Sequence, residues 1–92
     1  MTVTIGNAVE KLLKKFQIEK PVKQRQALFI WDEIVGEAIA RHTQAEDVKY
    51  DKLFIKVDSP VWRNELIFRR EDILNMINRR LGNVKIKEIV LR

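Results

Sequence analysis

The sequence has no cysteine, one serine, one histidine and only three glycines among its 92 residues. Without cysteine it has no disulfide and no thiolate ligand for a metal. No stretch approaches the roughly 18 apolar residues of a membrane span, and the N-terminus lacks a basic segment followed by an apolar run. We therefore expect a cytoplasmic protein without membrane contact.

The residues that catalysis needs are equally scarce. A nucleophile requires a neighbouring base, and a metal requires several clustered ligands. Ser59 stands directly before Pro60, which is the pattern of a helix N-cap, and His42 has no second histidine or cysteine beside which to bind a metal. The glycines are isolated, so there is no phosphate-binding loop. We expect no enzymatic activity, no cofactor and no metal.

Length and charge describe a small basic domain. The 92 residues fit a single domain spanning 1–92, and 46% hydrophobic with 34% charged residues is typical of a folded protein. The net charge is +5, and residues 59–92 carry most of the excess, with eight Lys/Arg against four Asp/Glu. A basic face of this kind attracts phosphate backbones, although many proteins that bind no nucleic acid also have one.

Two helices are predicted in the first half of the chain. Thr4 is placed to cap a first helix that reaches Phe16, and Pro21 suits the first turn of a second. The second helix has one apolar stripe, made of Ala27, Leu28, Trp31, Ile34, Val35, Ala38 and Ile39. Phe29 lies opposite that stripe, so it either packs on another element or is exposed. Gly36, in mid-helix, indicates a kink or a close approach.

The second half predicts two strands, two helices and a third strand. Strands at Thr43–Tyr50 and Leu53–Val57 are joined by a hairpin at Asp51-Lys52, and Ser59-Pro60 begins the next helix. Burying Arg69 and Arg70 would be costly, so we expect a break near Arg69–Asp72. Val84–Leu91 is the last strand, and its alternation slips between Ile86 and Ile89, which suggests a bulge or burial on both faces.

This order predicts an α+β fold: a three-stranded mixed sheet with helices on one face. The αββααβ sequence of elements resembles a KH domain of the second topological type. Trp31 and Trp62 lie on the apolar stripes of their helices, which favours core packing over base stacking. Phe29 is the candidate partner contact. The candidate nucleic-acid contacts are the basic residues Lys11, Lys14, Lys15, Arg63, Arg69, Arg70, Arg79, Arg80, Lys85 and Lys87. Arg69-Arg70 and Arg79-Arg80 stand out because they flank one predicted short helix.

An ordered set of short motifs resembles the DciA family of bacterial proteins. The motifs are Trp31 with Ile34-Val35-Gly36, His42-Thr43, Leu53-Phe54-Ile55-Lys56-Val57, Ser59, Trp62, Glu65-Leu66, Ile77-Asn78 and Leu81-Gly82. No one of them is diagnostic, but their order is fairly specific.

The resemblance implies a KH-like domain that binds DNA and helps to place the hexameric replicative helicase on it. Its expected partners are the helicase and single-stranded or forked DNA, with the chain a monomer or weak dimer. The alternative is a KH-like module for protein interaction or RNA binding that has no role in helicase loading. The Gly-x-x-Gly loop of strand-clamping KH domains is replaced here by Arg69-Arg70-Glu71-Asp72. Any contact with phosphates is therefore expected to come from side-chain charge.

Overall fold

The computed structural model describes residues 8, 9, 11 and 19–92 of the chain. Ala8, Val9 and Lys11 are helical and exposed. The other residues of the helix predicted between Thr4 and Phe16 lie outside the described part of the chain.

Four helices and three strands follow from residue 19 onwards. The helices are α1 (Glu19–Gln24), α2 (Gln26–Val35), α3 (Glu37–Ala40) and α4 (Pro60–Leu81). The strands are β1 (Thr43–Lys49), β2 (Lys52–Val57) and β3 (Glu88–Leu91). Pro21 lies in the first turn of α1, as the sequence predicts. Ser59 caps α4 by accepting a hydrogen bond from the backbone N–H of Trp62 at 3.4 Å.

The strands form one open mixed sheet in the order β1-β2-β3. β1 runs antiparallel to β2, and β3 runs parallel to it, with Leu53 opposite Ile89. Leu53, Ile55 and Val57 are buried while Lys56 is exposed, because successive side chains of a strand point to opposite faces. The predicted α+β class and three-stranded mixed sheet are confirmed.

The hairpin turns at Tyr50-Asp51, one residue earlier than predicted. Tyr50 has a φ of 53° and Asp51 a φ of 62°. Positive φ at both central residues is the pattern of a two-residue type I′ turn, whose twist matches that of the flanking strands. β1 also has an irregularity between Ala45 and Asp47, where its register against β2 shifts by one residue.

The core lies between one face of the sheet and the helices. The apolar face of β2 meets Trp31 of α2 and Leu66, Ile73 and Ile77 of α4, all of them at most 3% exposed. The Trp31 indole N–H donates to the Thr43 hydroxyl at 2.9 Å, and that hydroxyl donates to the Ile39 carbonyl at 2.9 Å. This chain of two bonds joins α2, α3 and β1, and it satisfies the polar atom of the largest core side chain.

The predicted break in the last helix is wrong, because α4 is continuous across all 22 of its residues. Arg69 and Arg70 lie on either side of the buried Leu66 and Ile73 on the helical wheel, but both arginines are exposed to solvent. Long cationic side chains commonly leave an apolar stripe in this way, so no burial cost arises. With one helix between β2 and β3, the αββααβ order expected of a KH domain is not formed.

Gly36 ends α2 with a φ of 86°, a conformation that favours glycine, and α3 begins at the next residue. A Cβ at Gly36 would meet nothing within 4 Å, so the glycine serves the kink and not a close approach. The kink changes which residues after Gly36 face the core. As a result Ile39 is buried, whereas Ala38, which the sequence placed on the same stripe, is exposed.

The last strand is shorter than predicted, because residues 84–87 form a loop and not a strand. In this loop the Asn78 side chain provides the hydrogen bonds that the Ile86 backbone would otherwise make with a neighbouring strand. Its amide donates to the Ile86 carbonyl at 2.9 Å, and its oxygen accepts from the Ile86 N–H at 2.8 Å. The slip in alternation before Ile89 therefore marks the beginning of the strand and not a bulge.

Buried Gln24 joins three elements at the opposite end of the sheet from Ser59. Its amide donates to the Asp51 carboxylate at 2.8 Å and to the Lys85 carbonyl at 2.9 Å. The hydrogen bond from Gln24, then the one from Lys20, together with the nearby positive charges, lowers the pKa of Asp51 to about 2. Lys87 also donates its backbone N–H to the Asp51 carbonyl at 2.7 Å. α1, the hairpin tip and the loop before β3 are thus held together at one point.

Truncation of Trp31 should strongly destabilise the protein. Trp31→Ala should lower the free energy of unfolding by about 3–5 kcal/mol, because it leaves a cavity in the core. Thr43→Val is the matched variant for the hydrogen bonds alone, with an expected loss of about 1–3 kcal/mol. Urea denaturation followed by circular dichroism measures both. An unchanged midpoint in Trp31→Ala would contradict the buried position of this ring.

Asp51 should make the stability depend on pH in acid. Its folded pKa of about 2 is below its ordinary value of 3.8, so its contribution is complete above about pH 4 and is lost as the pH falls towards 2. Asp51→Asn keeps an acceptor for Gln24 but removes this titration. The variant should therefore lose less stability than the parent between pH 4 and 2.5, as measured by urea midpoints. If Asp51→Asn lost as much stability as the parent over this range, the titration of Asp51 would not be the cause.

Candidate nucleic-acid interface

The candidate cations of α4 do not form one patch. Arg69 and Arg79 are ten residues apart on a continuous helix, which separates them by about 15 Å along its axis. Arg69 pairs with Glu65 at 2.7 Å, and Arg80 pairs with Glu33 of α2 at 3.2 Å. The bond from Arg80, followed by its charge, lowers the pKa of Glu33. The short helix that these arginines were expected to flank does not exist.

Other predicted contacts also lie apart. The Arg63 side chain is partly buried and donates to the Val57 carbonyl at 3.4 Å, near the beginning of α4. Arg70 is exposed in the middle of that helix. Lys11 is exposed, and Lys14 and Lys15 lie outside the described residues. Of the predicted set, Arg79, Lys85 and Lys87 are brought together, at the end of the molecule where Gln24 joins the hairpin to α1.

We call this region the basic end and define it by seven cations. They are Lys20, Lys23, Arg25, Lys49, Arg79, Lys85 and Lys87. They come from α1, its junction with α2, the end of β1, the end of α4 and the loop before β3. Two carboxylates, Asp47 and Asp51, lie among them. Seven positive charges against two negative ones leave this end strongly electropositive.

The two carboxylates orient the cations without cancelling their charge. Asp51 lies 2.9 Å from Lys20 and 3.5 Å from Lys87, while Asp47 lies 2.9 Å from Arg25 and 3.5 Å from Lys49. The hydrogen bond from the Val48 N–H, followed by the one from Arg25, lowers the pKa of Asp47. Both acids are therefore ionised at neutral pH, and each holds two cations in place.

Two shallow depressions lie on the basic end. The first, of about 420 Å³, is lined by Asn75, Asn78, Arg79, Gly82 and Lys85. Arg79 and Lys85 make no ion pair among the described residues, so both charges are available to an anion.

The second depression, of about 310 Å³, lies beside the hairpin tip. Its lining comprises Lys20, Pro21, Gln24, Arg25, Val48, Lys49, Tyr50 and Asp51. Cations from α1, from its junction with α2 and from the end of β1 meet here. They lie next to the ring of Tyr50, which is 89% exposed.

Sequence reasoning missed Lys20, Lys23, Arg25, Lys49 and Tyr50. One signal was present, since three cations occur within the six residues 20–25. Net charges summed over long segments concealed these residues. Residues 42–58 contain more acids than bases, so Lys49 did not stand out. The residues meet only in the folded chain, where Gln24, Asp47 and Asp51 link their elements.

His42 has the structural position expected at the junction of helix and strand. Its Nδ1 lies 3.1 Å from the Asp58 carboxylate, and its ring stacks on the half-buried Trp62, with centroids 5.4 Å apart. Within the described part of the chain, no group of three His, Cys, Asp or Glu side chains could hold a metal. None of its helices is long and apolar enough to cross a membrane.

Comparison with known proteins gives several bacterial relatives, and the three described here are all named UPF0232 proteins. A UPF0232 protein of Corynebacterium glutamicum is 31% identical over 94% of this chain and 48% of its own length. Another, from Bifidobacterium longum, is 36% identical over 64% of this chain and 38% of its own length. A third, from Streptomyces coelicolor, is 26% identical over 95% of this chain and 47% of its own length. The chain thus spans about half the length, or less, of these relatives.

The family comparison covers nearly the whole chain. The profile described as "Dna[CI] antecedent, DciA" matches residues 4–91, which include every helix and strand from α1 to β3. The resemblance drawn from the sequence motifs is confirmed, and the chain belongs to the DciA family.

Proposed function

We propose that this domain is a non-enzymatic accessory of bacterial DNA replication that binds DNA and the hexameric replicative helicase in the cytoplasm. Family membership supports the replication role. The observation that carries the DNA-binding part is the basic end, where seven cations from five parts of the chain surround two carboxylates. A surface of this charge attracts a phosphate backbone whatever its sequence.

The proposed mode of binding is through side-chain charge. A KH domain that clamps a strand brings backbone amides to the phosphates through a Gly-x-x-Gly loop between two helices. Here the corresponding residues, Arg69 to Asp72, lie within continuous α4 and contain no glycine. Flexible lysine and arginine side chains contact phosphates without such a loop, and they give little base preference.

For the helicase we propose a contact that includes Phe29. This ring is 85% exposed and lies on the face of α2 opposite buried Ala27 and Trp31. It stands one helical turn after Arg25, and residues four apart lie on the same face of a helix. A partner that docks on Phe29 would therefore adjoin the basic end, which places helicase and DNA on neighbouring surfaces.

Removal of two cations from the basic end should reduce both affinity and salt dependence. The parent, contacting about three to five phosphates, should give a log–log salt slope of about −2 to −3.5 on a single strand. Arg79→Gln with Lys85→Gln removes two of these contacts, so the slope should become shallower by about 1.4. Fluorescence anisotropy with a labelled oligothymidine at several salt concentrations measures this.

The matched control is Arg69→Gln with Arg70→Gln, which removes the same charge from the middle of α4, distant from the basic end. Its slope should remain within experimental error of that of the parent. If this pair abolished binding while the Arg79 and Lys85 pair did not, the site would be in the middle of α4. A parent without affinity for DNA at low salt would refute the DNA-binding proposal.

Replacement of Phe29 should weaken helicase capture without affecting the fold. Phe29→Ser is expected to reduce affinity for the replicative helicase about tenfold or more, which corresponds to a contact worth at least about 1.4 kcal/mol. Phe68→Ser, on the outer surface of α4, changes a ring of equal exposure and is the control. Titration of each variant against immobilised helicase gives the dissociation constants. If Phe68→Ser weakened capture and Phe29→Ser did not, the docking surface would lie on α4.

A further inference from the structure

Neither the geometry of the hairpin turn nor packing explains why residue 50 is a tyrosine. Its φ of 53° is left-handed, a region that a bulky residue enters only at a cost, and the first position of a type I′ turn favours asparagine or glycine. Its ring is 89% exposed, and its side chain makes no hydrogen bond and no ring contact among the described residues. An aromatic ring kept at such a position, without a partner inside the protein, suits a partner from outside.

The surroundings of the ring identify the chemistry of that partner. The depression of about 310 Å³ beside it is lined by Lys20, Arg25 and Lys49. Asp51 orients Lys20, and Asp47 orients Arg25 and Lys49, so all three cations are held near the ring. A flat π surface bordered by positive charge fits a ligand that has both a π face and a phosphate. Single-stranded nucleic acid has both at every nucleotide.

We infer that Tyr50 is a stacking platform for an unpaired base, so that the hairpin tip binds single strands in preference to duplex. This inference rests on the proposed function, and it adds a ring contact to binding by charge. Bases inside a duplex are already stacked on their neighbours and do not offer a face to a side chain. The cations contact the phosphates of either form, but the ring contributes only with a single strand.

The hairpin provides a substitution that separates stacking from stability. Tyr50→Asn introduces the residue that a type I′ turn prefers, so its urea midpoint should equal or exceed that of the parent. Tyr50→Phe retains the ring and serves as the matched control. Three labelled probes are used in anisotropy titrations: a 12-nucleotide thymidine strand, an abasic strand of the same length, and a 12-base-pair duplex.

Tyr50→Asn should lose about five- to 150-fold in affinity for the thymidine strand, the range expected for one stacked base. It should bind the abasic strand and the duplex within twofold of the parent, because both probes retain the phosphates. Tyr50→Phe should match the parent on all three probes.

Each other result overturns the inference in a recognisable way. If the parent binds the thymidine strand and Tyr50→Asn binds it equally well, stacking is refuted while DNA binding stands. An equal loss on the abasic strand would mean that Tyr50 acts through the turn or the nearby charges. A parent that binds none of the probes refutes the proposed function and this inference together. If Tyr50→Asn weakens helicase capture only, the ring belongs to a protein interface.

Discussion

The two hydrogen bonds donated by the buried Gln24 amide determine where the charged surface of this protein forms. One reaches the Asp51 carboxylate at the hairpin tip, and the other reaches the Lys85 carbonyl in the loop before β3. A buried amide donor without an acceptor is costly, so both elements are fixed relative to α1. Asp51, held in this way, in turn positions Lys20 and Lys87. The basic end therefore forms as a consequence of the hydrogen bonds that the buried Gln24 amide requires.

The opposite end of the sheet is organised by aromatic and hydroxyl groups. Trp31 donates to Thr43, Thr43 donates to Ile39, and the His42 ring covers Trp62. Both of the tryptophans that the sequence assigned to the core instead of to base stacking are used within the protein. The aromatic rings that remain exposed among the described residues are those of Phe29, Tyr50 and Phe68, and of these Tyr50 lies at the basic end.

Local chemistry was readable from the sequence wherever neighbouring residues decide the outcome. Alternation in Leu53, Ile55 and Val57 predicted β2, and Ser59-Pro60 predicted the beginning of α4. The errors arose where tertiary contacts decide. Arg69 and Arg70 reach solvent, so the helix continues; Asn78 holds Ile86 outside any strand. The basic end could not be read as a unit, since its members come from residues 20–25, 49 and 79–87 and meet through tertiary contacts such as those of Gln24 and Asp51.

The parallel pairing of β3 with β2 makes the basic end depend on contacts between distant parts of the chain. Lys52 lies opposite Glu88, 36 residues further along the chain, whereas β1 and β2 close through a two-residue turn. Pairing of β3 therefore carries the larger cost in chain entropy. Lys85 and Lys87 meet Gln24 and Asp51 only where the loop before β3 is in its native position. The basic end is thus a property of the complete fold, and the hairpin with α1 alone would not form it.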